Sequence, residues 1–250
     1  YNQGNILVLL KRYDEALEPL KQAIALQPEH TRSWARIGNC LRHLGRLQEA
    51  LPYLEHAVEL DAAYAWAWNE LGAVYEALQR PDDALQAYGR AVAADPENTL
   101  YLYNQADLLI TLQRDDEALA LLDRLLERSP QHQRAWAKKG QILRRLDRLN
   151  EALEACEQAL NIDPGYGWAW NSKGLIHSAL GQHDLALECF QQAAQAEPRD
   201  AWFWYNQGDA LVVLHRYEEA LAPLERALAL DAQHIEAWAK KGQALRRLGR

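Results

Sequence analysis

The side chains of this 250-residue chain best suited to chemistry are eight histidines, three cysteines and two pairs of adjacent aspartates. Histidines with acids or cysteines at close spacing would hold a metal, and a cysteine phased with a histidine would make a nucleophile. The spacing supports neither. His30, His132 and His234 fall in turns, and His43, His56, His177, His183 and His215 are scattered without an HExxH pair. Cys40, Cys156 and Cys189 are far apart and lack a CxxC, so they read as small reduced core residues. Cys189 and His183 stand six residues apart across a helix start, which suits core and loop better than a dyad. Asp82-Asp83 and Asp115-Asp116 open helices, where acids favour the helix dipole. GxxxxGK[ST] and GxSxG are also missing, so no catalytic, cofactor-binding or metal residue is assigned and no cofactor is expected.

The elements that position these residues repeat. "YNQ" occurs at Tyr1, Tyr103 and Tyr205, each 102 residues after the last, and a shorter period lies inside that one. Glycine returns every 34 residues at Gly4, Gly38, Gly72, Gly140, Gly174, Gly208 and Gly242, with Ala106 filling the one gap. Alanine keeps the same step from Ala16 to Ala220. Tryptophan does so at Trp34, Trp68, Trp136, Trp170, Trp204 and Trp238, with Leu102 as the substitute.

Each repeat reads as two helices. Trp34, Ile37, Leu41 and Leu44 share one helical face; Ala50, Leu51, Leu54, Ala57 and Val58 share another, and "LGR" separates them. Asp14, Asp82, Asp116, Asn150 and Asp184 are expected to cap the second helices, and prolines such as Pro96 and Pro164 to end the repeat. Glycine and alanine at fixed positions let two backbones approach, making an antiparallel hairpin. One hairpin leaves an apolar flank open, so the hairpins must stack.

With its aromatic, Leu-Gly, small-residue and proline positions 34 residues apart, the whole chain resembles the tetratricopeptide repeat family. Ala62 and Ala232 depart from the proline position, and the tyrosine three after the glycine is kept only at Tyr75. The resemblance implies an all-α fold, a right-handed superhelical α-solenoid of 34-residue helix-turn-helix repeats with first helices lining a concave groove. It divides the chain as one continuous array over 1–250: a partial repeat 1–30, full repeats 31–64, 65–98, 99–132, 133–166, 167–200 and 201–234, and a partial repeat 235–250. The chain has no methionine and begins inside a first helix, as a piece of a longer protein would.

Repeats three apart are more alike than neighbours: 103–136 shares 18 of 34 residues with 205–238 but only 10 with 137–170. Recent triplication or a periodic partner would each explain this. Projecting the family's concave positions onto the chain gives Trp66 and Asn69 with Glu76, then Tyr103 and Asp107, then Arg134, Gln141, Arg144 and Arg145. Trp168 and Asn171 follow, and then Trp202, Tyr205 and Asp209. A related basic set is Arg32, Asn39, Arg42 and His43. Indole and phenol faces would bury apolar side chains of a peptide, amides would bind its main chain, and arginines would pair with its carboxylates. The competing reading makes the tryptophans cover for the adjoining helix and the arginines a solvated face. Some family members grip a C-terminal carboxylate with a lysine four residues before an asparagine. Asn5 and Asn39 have Tyr1 and Ala35 there, so that mode is not supported.

With 27 basic and 35 acidic residues the net charge is -8, and acids interrupt the basic stretches, which argues against nucleic acid. No apolar run spans a membrane and no signal peptide is apparent, so a cytoplasmic location is expected. The function expected from these readings is a non-catalytic protein–protein interaction module holding a peptide in its groove, with the sensor arm of a larger bacterial signalling protein as its finer form. The alternative is a structural scaffold that stacks end to end through uncapped repeats.

Overall fold

A computed structural model describes residues Tyr1–Arg250 and is helical throughout, with no strand. It divides into two compact units. The first, Tyr1–Arg128, holds α1 (Asn2–Leu9), α2 (Tyr13–Leu26), α3 (Thr31–His43), α4 (Leu47–Leu60), α5 (Ala65–Ala77), α6 (Pro81–Ala94), α7 (Thr99–Thr111) and α8 (Asp115–Arg128). The second, Ser129–Arg250, holds α9 (Gln133–Arg145), α10 (Leu149–Ile162), α11 (Gly167–Ala179), α12 (His183–Ala196), α13 (Ala201–Val213), α14 (Tyr217–Leu230) and α15 (Ile235–Arg247). Odd-numbered helices are the first helices of the repeats and even-numbered ones the second.

Hairpins close because the paired backbones come unusually near. A Cβ on Gly72 would stand 2.6 Å from the Tyr88 ring, and one on Gly174 2.6 Å from the Phe190 ring, so a methyl at either place would force a rigid aromatic to move. The buried second-helix residues, such as Ala50, Leu54 and Ala57 in α4, face this contact. Each second helix also packs on the first helix of the next repeat within its unit. First helices touch their successors as well, α3 on α5 in the first unit and α9 on α11 and α11 on α13 in the second. The first helices therefore form a layer of their own in each unit.

The turn inside each hairpin is a Schellman motif. After the C-cap leucine, one residue takes a left-handed conformation, at Lys11, Gln79, Gln113, Asp147 and His215 as well as at Gly45 and Gly181. The next residue donates its N–H to a carbonyl of the helix just ended, as Arg80 does to Tyr75 at 2.9 Å. A side chain in this conformation costs about 1–2 kcal/mol, partly offset by the backbone entropy that glycine loses. Gln79→Gly is thus expected to raise the stability of the first unit by about 0.5–1 kcal/mol, read as a higher urea midpoint with unchanged slope.

The aspartates expected to cap the second helices do not. The N-cap residues are Arg12, Arg46, Arg80, Arg148, Gln182 and Arg216, none with a side-chain cap bond, while Asp14, Asp82 and Asp184 lie inside the first turn. The physical reason is the Schellman turn, which fixes the residue after the left-handed one as the start of the next helix. The cap arginine then grips the carboxylate three residues on: Arg46 Nε donates to Glu49 Oε1 at 2.8 Å, Arg114 Nε to Glu117 Oε1 at 2.7 Å and Arg216 Nε to Glu219 Oε1 at 2.8 Å. These exposed pairs lower the carboxylate pKa values through hydrogen bonding to the arginine.

The turn between repeats is pinned from the other side. The periodic tryptophans donate their indole N–H to the carbonyl six residues earlier: Trp34 to Pro28 at 2.6 Å, Trp136 to Pro130 at 2.9 Å and Trp170 to Pro164 at 2.8 Å. Where alanine replaces proline the bond persists, from Trp68 to Ala62 at 2.9 Å and from Trp238 to Ala232 at 3.0 Å, because only the carbonyl is needed.

Candidate functional site

The tryptophans are of two kinds. Those just described are spent on the turns. Trp66, Trp168 and Trp202 sit two residues earlier on their helices, and their indole N–H groups have no partner in the protein. Trp168 is 48% exposed and Trp202 51%, on the neighbouring helices α11 and α13. Beneath them Phe203 is completely buried, its ring 5.2 Å from that of Trp168 and edge-on to it. Trp202 meets Tyr205 edge-on at 5.7 Å and His234 at 4.4 Å. Trp66 differs: it is half-buried, and the Arg36 guanidinium lies over its ring at 4.5 Å.

The asparagines are less available than their helical projection suggests. Asn69 and Asn171 are buried, each accepting a hydrogen bond from an asparagine of the next first helix, Asn104 at 2.8 Å and Asn206 at 2.7 Å. These rungs fix one first helix against its neighbour. The signal for them was in the chain, since the same asparagine pair recurs 102 residues on. Tyr103 and Asp107 are half-buried on α7. Tyr205 stands 4.8 Å from His234, and burial, with Asp209 nearby, raises its phenol pKa. Asp209 pairs with Lys240 of α15, a lysine that the family's concave positions do not include.

The basic residues diverge between units. On α9, Arg134 and Arg145 are exposed, and Gln141 and Arg144 half-buried. Burial and then the charge of Arg145 lower the pKa of Arg144, and no carboxylate pairs with it. In the first unit Arg42 does have a partner: its Nε donates to Glu70 Oε2 at 3.0 Å, and Asn39 Nδ2 donates to the same oxygen at 2.7 Å. Glu70 is buried on α5. The structure thus brings Trp66, Asn69, Tyr103 and Asp107 into the first unit, and Arg134, Gln141, Arg144, Arg145, Trp168, Asn171, Trp202, Tyr205 and Asp209 into the second.

Two of the three histidines in the turns, His30 and His132, are caps, whereas His234 makes no cap bond and its Nδ1 faces Glu236 at 3.1 Å. His30 Nδ1 accepts from the Ser33 amide at 3.2 Å and His132 Nδ1 from the Ala135 amide at 3.1 Å, which requires a neutral ring protonated on Nε2. No group of three or more histidine, cysteine, aspartate or glutamate side chains is placed to hold a metal ion. All three cysteines are buried, and burial pushes Cys156 up to about 12.

His132 and His43 give a pH dependence. Burial holds His132 below the ordinary histidine range, and burial followed by Arg42 does the same to His43. A histidine whose folded pKa is depressed contributes stability that is complete above its unfolded value, about 6.5, and is lost as pH falls from there through the folded value. Urea midpoints are therefore expected to fall between pH 7.5 and pH 5. His132→Asn, which caps without titrating, should remove part of that slope.

Two-helix repeats with this turn and this first-helix layer define a helical-repeat protein. The chain belongs to the tetratricopeptide repeat family, whose models match residues 1–30, 30–97, 69–131, 103–167, 171–235 and 205–250. Among solved structures, it is similar to YrrB, described as a TPR protein with an unusual peptide-binding site. The two are 26% identical over 72% of this chain and 92% of that one, with a TM-score of 0.64. It is also similar to MamA, at 23% identity over 65% of this chain and 95% of that one with a TM-score of 0.61. A tetratricopeptide repeat protein from Parabacteroides merdae is 18% identical over 98% and 96%, with a TM-score of 0.73. No curated protein matches the chain. No helix is long and apolar enough to cross a membrane.

Proposed function

We propose that the chain is a non-catalytic protein-interaction module that holds a peptide segment across the first-helix face of its second unit. The observation that carries this is the pair Trp168 and Trp202, half exposed on adjacent helices with unsatisfied indole N–H groups, whereas the six tryptophans of the 34-residue series are bonded to turns and Trp66 is half-buried under Arg36. Exposed aromatic area with free donors is what interfaces use, because burying it releases water while the N–H finds a carbonyl. The described peptide-binding site of YrrB supports the same use of the fold. Unpaired Arg144 gives the face positive character, suiting a peptide with both apolar and acidic residues.

The test is selection of a random peptide display library on the full chain, with enriched peptides then measured by fluorescence anisotropy. Saturable binding of peptides with aromatic or aliphatic residues is expected, and a library that yields no binder contradicts the reading.

A further inference from the structure

We infer that Gln141 and Arg144 form a carboxylate-binding site on the second unit, which takes an aspartate or glutamate side chain of the bound peptide. The inference rests on the peptide-binding reading and names the anchor chemistry within it. Its basis is a comparison the chain makes with itself. In the first unit Asn39 and Arg42 of α3 converge on one oxygen of Glu70, which reaches them from α5. The same three positions 102 residues on are Gln141, Arg144 and Ser172. The two donors are kept in kind, and the acceptor is gone.

The surrounding framework is preserved. α9 packs on α11 as α3 packs on α5, and the adjoining asparagine rung has nearly the same length in both units, 2.8 Å in the first and 2.7 Å in the second. Serine is shorter than glutamate by a methylene and a carboxylate carbon with its second oxygen, so Ser172 does not reach as far as Glu70 does in the first unit and leaves the carboxylate to come from a ligand. A half-buried guanidinium with no anion favours acquiring one, since a charge-assisted pair recovers what burial costs. Arg145 beside it adds positive charge. Trp168 stands one helical turn before Ser172 on α11, so a ligand that buries an apolar residue on the indole brings neighbouring residues to the site.

The experiment uses the full chain and the peptide library already named. Peptides enriched on the unmodified chain should carry an acid a few residues from an aromatic or aliphatic residue. Replacing that acid by its amide should weaken binding roughly tenfold. On Ser172→Glu, which restores the first unit's glutamate in place, acid and amide peptides should bind equally while the apolar preference persists. Arg144→Gln should give the same equality, and serves if the glutamate variant does not fold. Equal binding of acid and amide peptides to the unmodified chain would overturn the inference and leave the peptide-binding reading standing. An acid preference that survives both variants would overturn it too. A library with no binder removes both.

Discussion

Trp168→Ala combined with Trp202→Ala is expected to weaken binding of a selected peptide by at least about 30-fold, the effect of losing one interface anchor worth about 2 kcal/mol. The magnitude follows from the exposure of these rings, since about half of each is free to be buried by a ligand and no other group on α11 or α13 offers comparable apolar area. The fold should tolerate the change. Neither indole N–H is bonded, and the ring contacts that the change removes, Trp168 with Phe203 and Trp202 with Tyr205 and His234, are worth about 1 kcal/mol each. Circular dichroism should therefore match that of the unmodified chain. Glu188→Ala with Arg226→Ala, on exposed positions of α12 and α14, should leave peptide affinity within about twofold.

Phe203→Ala should have the largest effect on stability, a loss of about 3–5 kcal/mol. The ring is completely inaccessible and packs with Ala193, Ala194, Trp170 and Trp204. It also lies against the start of α11, where a Cβ on Gly167 would come within 3.0 Å of it. Deleting it opens a cavity where three helices meet, and the surrounding helices cannot collapse without disturbing two hairpins. Repeats depend only on their neighbours, so the loss should concentrate in the second unit. Urea unfolding followed by hydrogen exchange would show α11 to α13 losing protection while α3 to α5 keep theirs. Leu180→Ala, at a more exposed position near the hairpin turn, should cost well under half as much.

What was legible in the chain was whatever close packing dictates. Glycine opposite Tyr88 or Phe190 has no alternative that leaves the rings in place, so its 34-residue step announced the hairpins directly. The six bonded tryptophans were visible as a series, but their purpose was not, because a bond to a carbonyl six residues back involves no side chain that a pattern could show. The second-helix starts misled for a related reason. Aspartate is a favoured cap, yet the Schellman turn places an arginine there, and the acid falls inside the first turn. Helical projection put Asn69 and Asn171 on the first helices but could not tell that the next first helix would engage them. Glu70 escaped notice because its partners lie on another repeat.

Peptide binding on the first-helix face is tested most directly by backbone amide hydrogen exchange on the full chain with and without a saturating selected peptide. Added protection is expected in the first helices α11 and α13, around Trp168 and Trp202, with little change in α12 and α14. Protection confined to the second helices, or found equally in the Trp168→Ala, Trp202→Ala chain, would contradict it.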